Sequence, residues 1–113
     1  MANASGVTSV PIVRLPMQSQ IPQPSVLALF AHPDDIEFVA AGTLILLKDL
    51  GWQIHYCNIA NGYGGSKNTN RQETAAIRLQ ESQLSAKLLD ASFYPPICDD
   101  LDVFYNSGNL AKV

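Results

Sequence analysis

The stretch SVLALFAHPDDIEF, residues 25–38, joins an apolar run to a turn rich in polar side chains. Residues 25–31 are almost continuously apolar and do not alternate with polar residues, which is typical of a parallel strand covered on both faces. His32, Pro33 and two adjacent aspartates then end the run. The stretch therefore predicts a buried strand whose carboxyl end carries groups able to bind a metal or move a proton.

The residues that follow predict alternating helices and strands. Apolar residues recur at helical spacing up to Gly51, which supplies a helix stop. A second strand is expected over residues 52–60, followed by a glycine-rich loop. A second helix is expected to begin at Thr69, whose spacing to Gln72 matches a capping box, and to end near Leu89. Its apolar positions predict a buried face, formed by Ile77, Leu84 and Leu88.

A short third strand over residues 92–97 completes the pattern, because Pro95 and Pro96 cannot continue a strand far. Strands that alternate with helices in this order favour right-handed crossovers and a parallel sheet. The sequence thus predicts an α/β protein, a Rossmann-like three-layer α/β/α architecture with a mainly parallel sheet that stops after the third strand. Residues 1–24 hold four prolines and predict an extended or flexible arm, and residues 25–113 predict the folded domain.

The composition excludes several classes of function. The chain has 113 residues, of which 15% are charged, and its net charge of −3 is unlike that of a nucleic-acid-binding surface. No stretch approaches the roughly 20 apolar residues of a membrane span. The N-terminus does not have the pattern of a secretory signal, and Cys57 lies in an apolar run as a buried thiol would. These features favour a reduced, cytoplasmic protein.

The turn after the first strand contains the residues with catalytic potential. Ligands of parallel α/β sheets bind outside the carboxyl ends of the strands, where this turn is expected to lie. His32 offers a nitrogen ligand and Asp35 a carboxylate, a donor set that suits zinc. Asp34 could then act as general base towards an attacking water. The alternative is that one aspartate caps the following helix and that the other residues only form the turn.

The same residues resemble a known family. AHPDDIE (31–37), followed by AAGTL (40–44), looks like the signature of the LmbE-like (PIG-L) zinc-dependent N-deacetylases. GWQIHYCNIANGYGG (51–65) is similar to the family's second strand and glycine-bearing loop, and RLQESQLSAKLL (78–89) to its Arg-x-x-Glu helix. The likeness covers roughly residues 25–106. It implies zinc-dependent hydrolysis of the acetamide of an N-acetylglucosamine-type sugar or glycoconjugate.

The resemblance also implies roles for single residues. His32 and Asp35 match the first two zinc ligands of the family, and Asp34 matches its general base. Arg78 matches an arginine that contacts sugar hydroxyls. Asp100 is similar to a substrate-contacting aspartate.

Alternatives remain open at several of these positions. Asp99 or Asp102 could be the true equivalent of Asp100. Arg78 and Glu81 could form a purely structural ion pair, because a carboxylate on a buried helix face needs a partner. Glu37 could orient the motif through hydrogen bonds or favour the start of a helix. His55 lies in the middle of a strand and is expected to be a packed histidine rather than a ligand.

One feature departs from the family pattern. The resemblance implies a third zinc ligand from a later histidine motif, and this sequence has no histidine after His55. The chain is therefore expected to be a fragment, to receive the ligand from another chain, or to be inactive. A non-catalytic α/β fragment or a module that binds a sugar or a partner is the main alternative function, and a two-metal phosphoesterase is a distant third. An exposed apolar sheet edge also makes a homo-oligomer possible.

Overall fold

In the computed structural model, residue 6 and residues 22–113 are described. They contain a parallel three-stranded sheet in the order β1-β2-β3. The strands are β1 (Ser25–Phe30), β2 (Gln53–Asn58) and β3 (Ser92–Tyr94). The helices are α1 (Asp35–Val39), α2 (Ala41–Asp49), α3 (Arg71–Leu88) and α4 (Ser107–Leu110). The predicted α/β class and parallel sheet are confirmed.

The core lies between one face of the sheet and the helices. The strands contribute Ala28, Ile54 and Tyr56 to a single buried cluster. The helical residues of this cluster, with one that follows α3, are Ile36, Leu44, Ala86 and Leu89. In the order β1-β2-β3, each new strand is added at the same edge of the sheet. Two successive right-handed crossovers of this kind place their helices on the same face of the sheet.

The opposite face of the sheet is covered less. Leu27 on β1 is half exposed there, and it lines an apolar cavity of about 490 Å3 with Tyr94, Lys112 and Val113. The expectation that β1 is covered on both faces is therefore not met within residues 22–113, because helices α1 to α3 share one face.

Helix α3 differs from the prediction in which face it buries. Ile77, Leu84 and Leu88 are 48%, 56% and 85% exposed, so the expected apolar face points away from the sheet. The buried residues of the helix are small or polar: Thr74, Ser82 and Ala86. Small side chains let the helix approach the sheet closely. Ser82 and Ala86 are four residues apart and lie on the buried side of the helix, whereas Leu84 and Leu88, also four apart, lie on an exposed side.

The ends of the helices follow local chemistry. Gly51 has φ +86° and ends the α2 region, as the sequence predicts. The capping box exists but lies one residue later than expected, because Asn70 rather than Thr69 occupies the N-cap position. The Asn70 side chain accepts from the Glu73 backbone N–H at 2.9 Å, and Glu73 Oε2 accepts from the Asn70 N–H at 3.2 Å.

Three further expectations concern the rest of the chain. Most of the predicted N-terminal arm lies outside the described residues. Cys57 and Cys98 are both free thiols, and Cys57 is buried as expected. Across the described residues, none of the helices combines the length and the apolar character needed to cross a membrane.

Candidate metal and catalytic site

The motif residues line a cleft at the carboxyl end of β1. Its cavity has a volume of about 530 Å3. All five site residues predicted from the sequence line this cleft, so the structure brings them into one place. The lining comprises His32, Pro33, Asp34, Asp35, Gly62, Tyr63, Gly64, Gly65, Arg78, Asp100 and Leu101.

His32 and Asp35 form a closed turn. The His32 backbone N–H donates to Asp35 Oδ2 at 2.9 Å, and the Asp35 backbone N–H donates to the His32 carbonyl at 3.3 Å. His32 Nδ1 lies 3.8 Å from Asp35 Oδ2. Two ligands of one tetrahedral zinc stand roughly 3.3 Å apart, so this nitrogen and this carboxylate are near the spacing of donors to one ion.

The metal ligands predicted from the sequence are few among the described residues. Between residues 22 and 113, no group of three or more His, Cys, Asp or Glu side chains is placed to hold a metal ion. His55, the other histidine, lies on β2 with its Nδ1 2.9 Å from the Tyr94 hydroxyl. This contact agrees with the expectation that His55 is a packed histidine. The donor chemistry of His32 and Asp35 fits zinc, and a third ligand would have to come from elsewhere.

Asp34 has an unusual backbone conformation. Its φ of +86° and ψ of −24° lie in the left-handed region, which a non-glycine residue adopts only when its surroundings hold it there. Asp34 occupies the N-cap position of α1, but its side chain makes no capping hydrogen bond. The alternative that Asp34 serves as a helix cap is therefore not supported, and its carboxylate is free to face the cleft.

Arg78 joins the two acidic groups nearest to it. Its Nη1 lies 3.4 Å from Asp34 Oδ2 and 3.2 Å from Glu81 Oε2. The Arg78–Glu81 pair considered from the sequence is thus present, but Glu81 is exposed rather than buried. The contact between Arg78 and Asp34 could not be read from the sequence, because the two residues lie on different elements.

The glycine-rich loop closes one side of the cleft. Gly62 has φ +76°, and a Cβ at this position would lie 3.0 Å from the Pro33 ring and 3.2 Å from Arg78 Cγ. A Cβ at Gly65 would lie 3.1 Å from Arg78 Nη2. The glycines therefore allow the loop to pack directly on Pro33 and on the arginine.

Asp100 binds the same loop. Its Oδ1 accepts from the Gly62 N–H at 2.5 Å, and its Oδ2 accepts from the Gly64 N–H at 2.7 Å. The neighbouring Asp99 accepts from the Asn61 side chain. The sequence left Asp99 and Asp102 as alternatives to Asp100. Of these three aspartates, Asp100 alone lines the cleft. Its carboxylate fixes the loop next to the motif and has acceptor capacity left beyond these two hydrogen bonds.

A polar cluster below the motif is a feature that the sequence patterns did not predict. The Tyr56 hydroxyl donates to Glu37 Oε1 at 2.9 Å, and Asn58 Nδ2 donates to Ser82 Oγ at 3.2 Å. Burial raises the pKa of Tyr56 to about 12, and the Glu37 carboxylate adds to this shift. The alternation Ile54, Tyr56, Asn58 places two polar residues on the covered face of β2, and this was the signal that could have revealed the cluster.

The fold and the cleft define an α/β protein with a polar cleft at the carboxyl end of a parallel strand. Residues 27–109 match the family described as PIG-L, GlcNAc-PI de-N-acetylase, and the chain belongs to this family. The family resemblance noted in the sequence is thereby confirmed. A comparison with curated protein sequences gave no match.

The solved structures that are similar to this chain include a deacetylase and a hydratase. The first is N,N'-diacetylchitobiose deacetylase from Pyrococcus horikoshii in complex with its inhibitor MPG, at 32% identity and a TM-score of 0.68. The match covers 75% of this chain and 33% of the deacetylase. The second is GalB, the 4-carboxy-2-hydroxymuconate hydratase from Pseudomonas putida KT2440, at 22% identity and a TM-score of 0.66, covering 74% of this chain and 38% of the hydratase. The hydratase shares the fold only. The chain spans about a third of the length of either protein.

Proposed function

We propose that this chain carries part of the active site of a zinc-dependent N-deacetylase. The reaction is hydrolysis of the N-acetyl amide of an N-acetylglucosamine-type sugar or glycoconjugate, which releases acetate and a free amine. Membership of the PIG-L family supports this proposal, as does the similarity to a chitobiose deacetylase at 32% identity. A cytoplasmic location and self-association are kept as parts of the same proposal.

The observation that carries the proposal is the different surroundings of two adjacent carboxylates. Asp35 turns back to His32, with its Oδ2 2.9 Å from the backbone nitrogen and 3.8 Å from Nδ1. Asp34 turns to Arg78, 3.4 Å away. A turn that served only to start a helix would not require two carboxylates with separate partners in one cleft.

His32 and Asp35 would hold the metal, together with a ligand from outside residues 22–113. A zinc ion bound there supplies Lewis acidity towards the amide carbonyl and towards water. The rest of the chemistry falls to the side chains of this chain. Asp34 accepts the proton of the attacking water at Oδ1 or Oδ2 and later delivers it to the leaving nitrogen.

Arg78 and Asp100 would orient the substrate. The Arg78 guanidinium holds Asp34 through one nitrogen and presents its other N–H donors to sugar hydroxyls. Asp100 fixes Gly62 and Gly64 and offers its remaining lone pairs as acceptors. Both side chains line the same cleft as the motif, so a single sugar ring could contact both.

The second candidate is a non-catalytic α/β module that binds a sugar or a partner. The observation that favours it is that, among the described residues, no three His, Cys, Asp or Glu side chains are placed together to hold a metal ion. Such a module would bind an N-acetylated sugar without zinc and without releasing acetate.

The proposal is tested by measuring zinc content and acetate release with N,N'-diacetylchitobiose, using the protein expressed from its complete reading frame. We expect one zinc per chain, lost in His32→Ala and in Asp35→Ala. Asp34→Asn should keep the zinc and lose deacetylation by a factor on the order of 100. His55→Ala, a histidine outside the cleft, is the matched control and should behave as the wild type. Absence of zinc and of acetate release from the wild-type protein would refute the enzymatic proposal.

A further inference from the structure

Four polar side chains lie together beneath the motif, between α1, β2 and α3. The Tyr56 hydroxyl donates to Glu37 Oε1, and it lies close enough to Asn58 and Ser82 to interact with both. Asn58 in turn donates to Ser82. Tyr56, Asn58 and Ser82 are at most 1% exposed. Buried polar groups are retained at a cost in stability, so a cluster with three buried polar members is expected to serve a purpose.

The cluster connects the elements that carry Asp34 and Arg78. Glu37 lies in α1, three residues after Asp34. Ser82 lies one helical turn after Arg78, on the same side of α3. Tyr56 joins the two helices through β2, which is the central strand of the sheet.

Asp34 needs such support because of its backbone. Its left-handed conformation is not stabilised by a side-chain cap, and α1 has only five residues. Ile36 is the one buried residue of this helix, and Glu37 makes its side-chain hydrogen bond to the sheet. Ile36 packs in the buried core, and Glu37 bonds to the polar cluster that reaches α3, so both residues help to hold the turn.

We propose that Glu37 and Tyr56 are positioning residues that hold the Asp34 carboxylate opposite the Arg78 guanidinium. The inference rests on the proposed function in one respect, the role of Asp34 as general base. The positioning itself is a statement about two side chains and can be tested without catalysis.

The test compares Tyr56→Phe with Tyr94→Phe. Each change removes one hydroxyl that contacts a side chain on a neighbouring element, but the Tyr94 hydroxyl contacts His55, outside the cleft. NMR spectra of the metal-free chain would follow the backbone amide of Asp34 and the Nε–H of Arg78. We expect both resonances to move in Tyr56→Phe and neither to move in Tyr94→Phe. Unmoved resonances in Tyr56→Phe, or equal movement in both variants, would overturn the inference.

Kinetics provide the second measurement. A small misplacement of a catalytic group can lower the rate by a factor of roughly 100, so Tyr56→Phe should lower kcat to about this extent and leave KM nearly unchanged. Glu37→Gln keeps an oxygen that accepts from Tyr56 and should retain most of kcat, whereas Glu37→Ala should not. Equal losses in Glu37→Gln and Glu37→Ala would contradict positioning through this hydrogen bond.

Two further comparisons cover a variant that does not fold and an enzyme that proves inactive. If Tyr56→Phe does not fold, Ser82→Ala removes the far end of the cluster with a good helix former and should move the Asp34 amide. An unmoved amide in that variant counts against the inference. If the wild type releases no acetate while the resonances move as expected, the proposed function fails and the positioning inference is supported.

Discussion

Arg78 and Asp34 lie 44 residues apart in the chain, and their side chains meet in the cleft at 3.4 Å. The contact joins helix α3 to the turn that follows strand β1. Arg78 also contacts Glu81, so two carboxylates share one guanidinium. Of the two carboxylates, Asp34 lines the cleft and Glu81 does not, so we expect the contact with Asp34 to matter more for activity.

Replacing Arg78 should therefore affect activity more than replacing Glu81. Lysine cannot reproduce the planar fork that reaches both Asp34 and the glycine loop, so Arg78→Lys should lower kcat/KM about tenfold or more, equivalent to ~1.4 kcal/mol. Glu81→Gln removes an exposed ion pair, and such pairs contribute little. Steady-state kinetics on both variants provide the measurement. Equal losses would mean that the ion pair with Glu81 is what matters.

The glycine loop should tolerate no side chain at Gly62. Gly62→Ala introduces a Cβ 3.0 Å from the Pro33 ring at a φ of +76°, and we expect it to lower the free energy of unfolding by ~1–3 kcal/mol. Gly42→Ala is the control, because a Cβ there meets nothing within 4 Å and the residue is helical. It should raise the free energy of unfolding by up to ~1 kcal/mol. Urea unfolding measures both, and a neutral Gly62→Ala would contradict the packing of the loop on Pro33.

The start of α3 should depend on Asn70. Removing its side chain eliminates the capping hydrogen bond to Glu73, so Asn70→Ala should lower the free energy of unfolding by ~1 kcal/mol. Gln72→Ala is the matched control, since Gln72 belongs to the capping box expected from the sequence but not to the observed one. Its effect should stay within ~0.5 kcal/mol. A larger effect at Gln72 than at Asn70 would place the helix start one residue earlier.

Tyr56 should make the protein sensitive to alkaline pH. Burial raises its pKa to about 12 in the folded chain, above its ordinary value of 10.0. The unfolded chain therefore loses the Tyr56 proton first, and stability falls as pH rises from about 10 to 12, by roughly 3 kcal/mol in total. Unfolding of the wild type and of Tyr56→Phe, measured at several pH values in this range, should show the two free energies converging. A constant difference between them would contradict the shifted pKa.

The sequence determined much of the local structure. The apolar run before His32 predicted β1, the proline in HPDD predicted a turn, and Gly51 predicted a helix end. These features depend on neighbouring residues, so a local pattern contains the information. The family signature also identified His32, Asp34 and Asp35 as the candidate site, because the motif is contiguous in the chain.

Only the tertiary structure decided which residues meet and which face each helix buries. The leucine pattern of α3 predicted the wrong face, because the sheet accepts the small residues Ser82 and Ala86 at close range while Leu84 and Leu88 remain exposed. The pairing of Arg78 with Asp34 and the cluster around Tyr56 depend on how three elements pack together. Local spacing within one element does not contain that information, since these contacts exist only after the crossovers have placed α1 and α3 on the same face of the sheet.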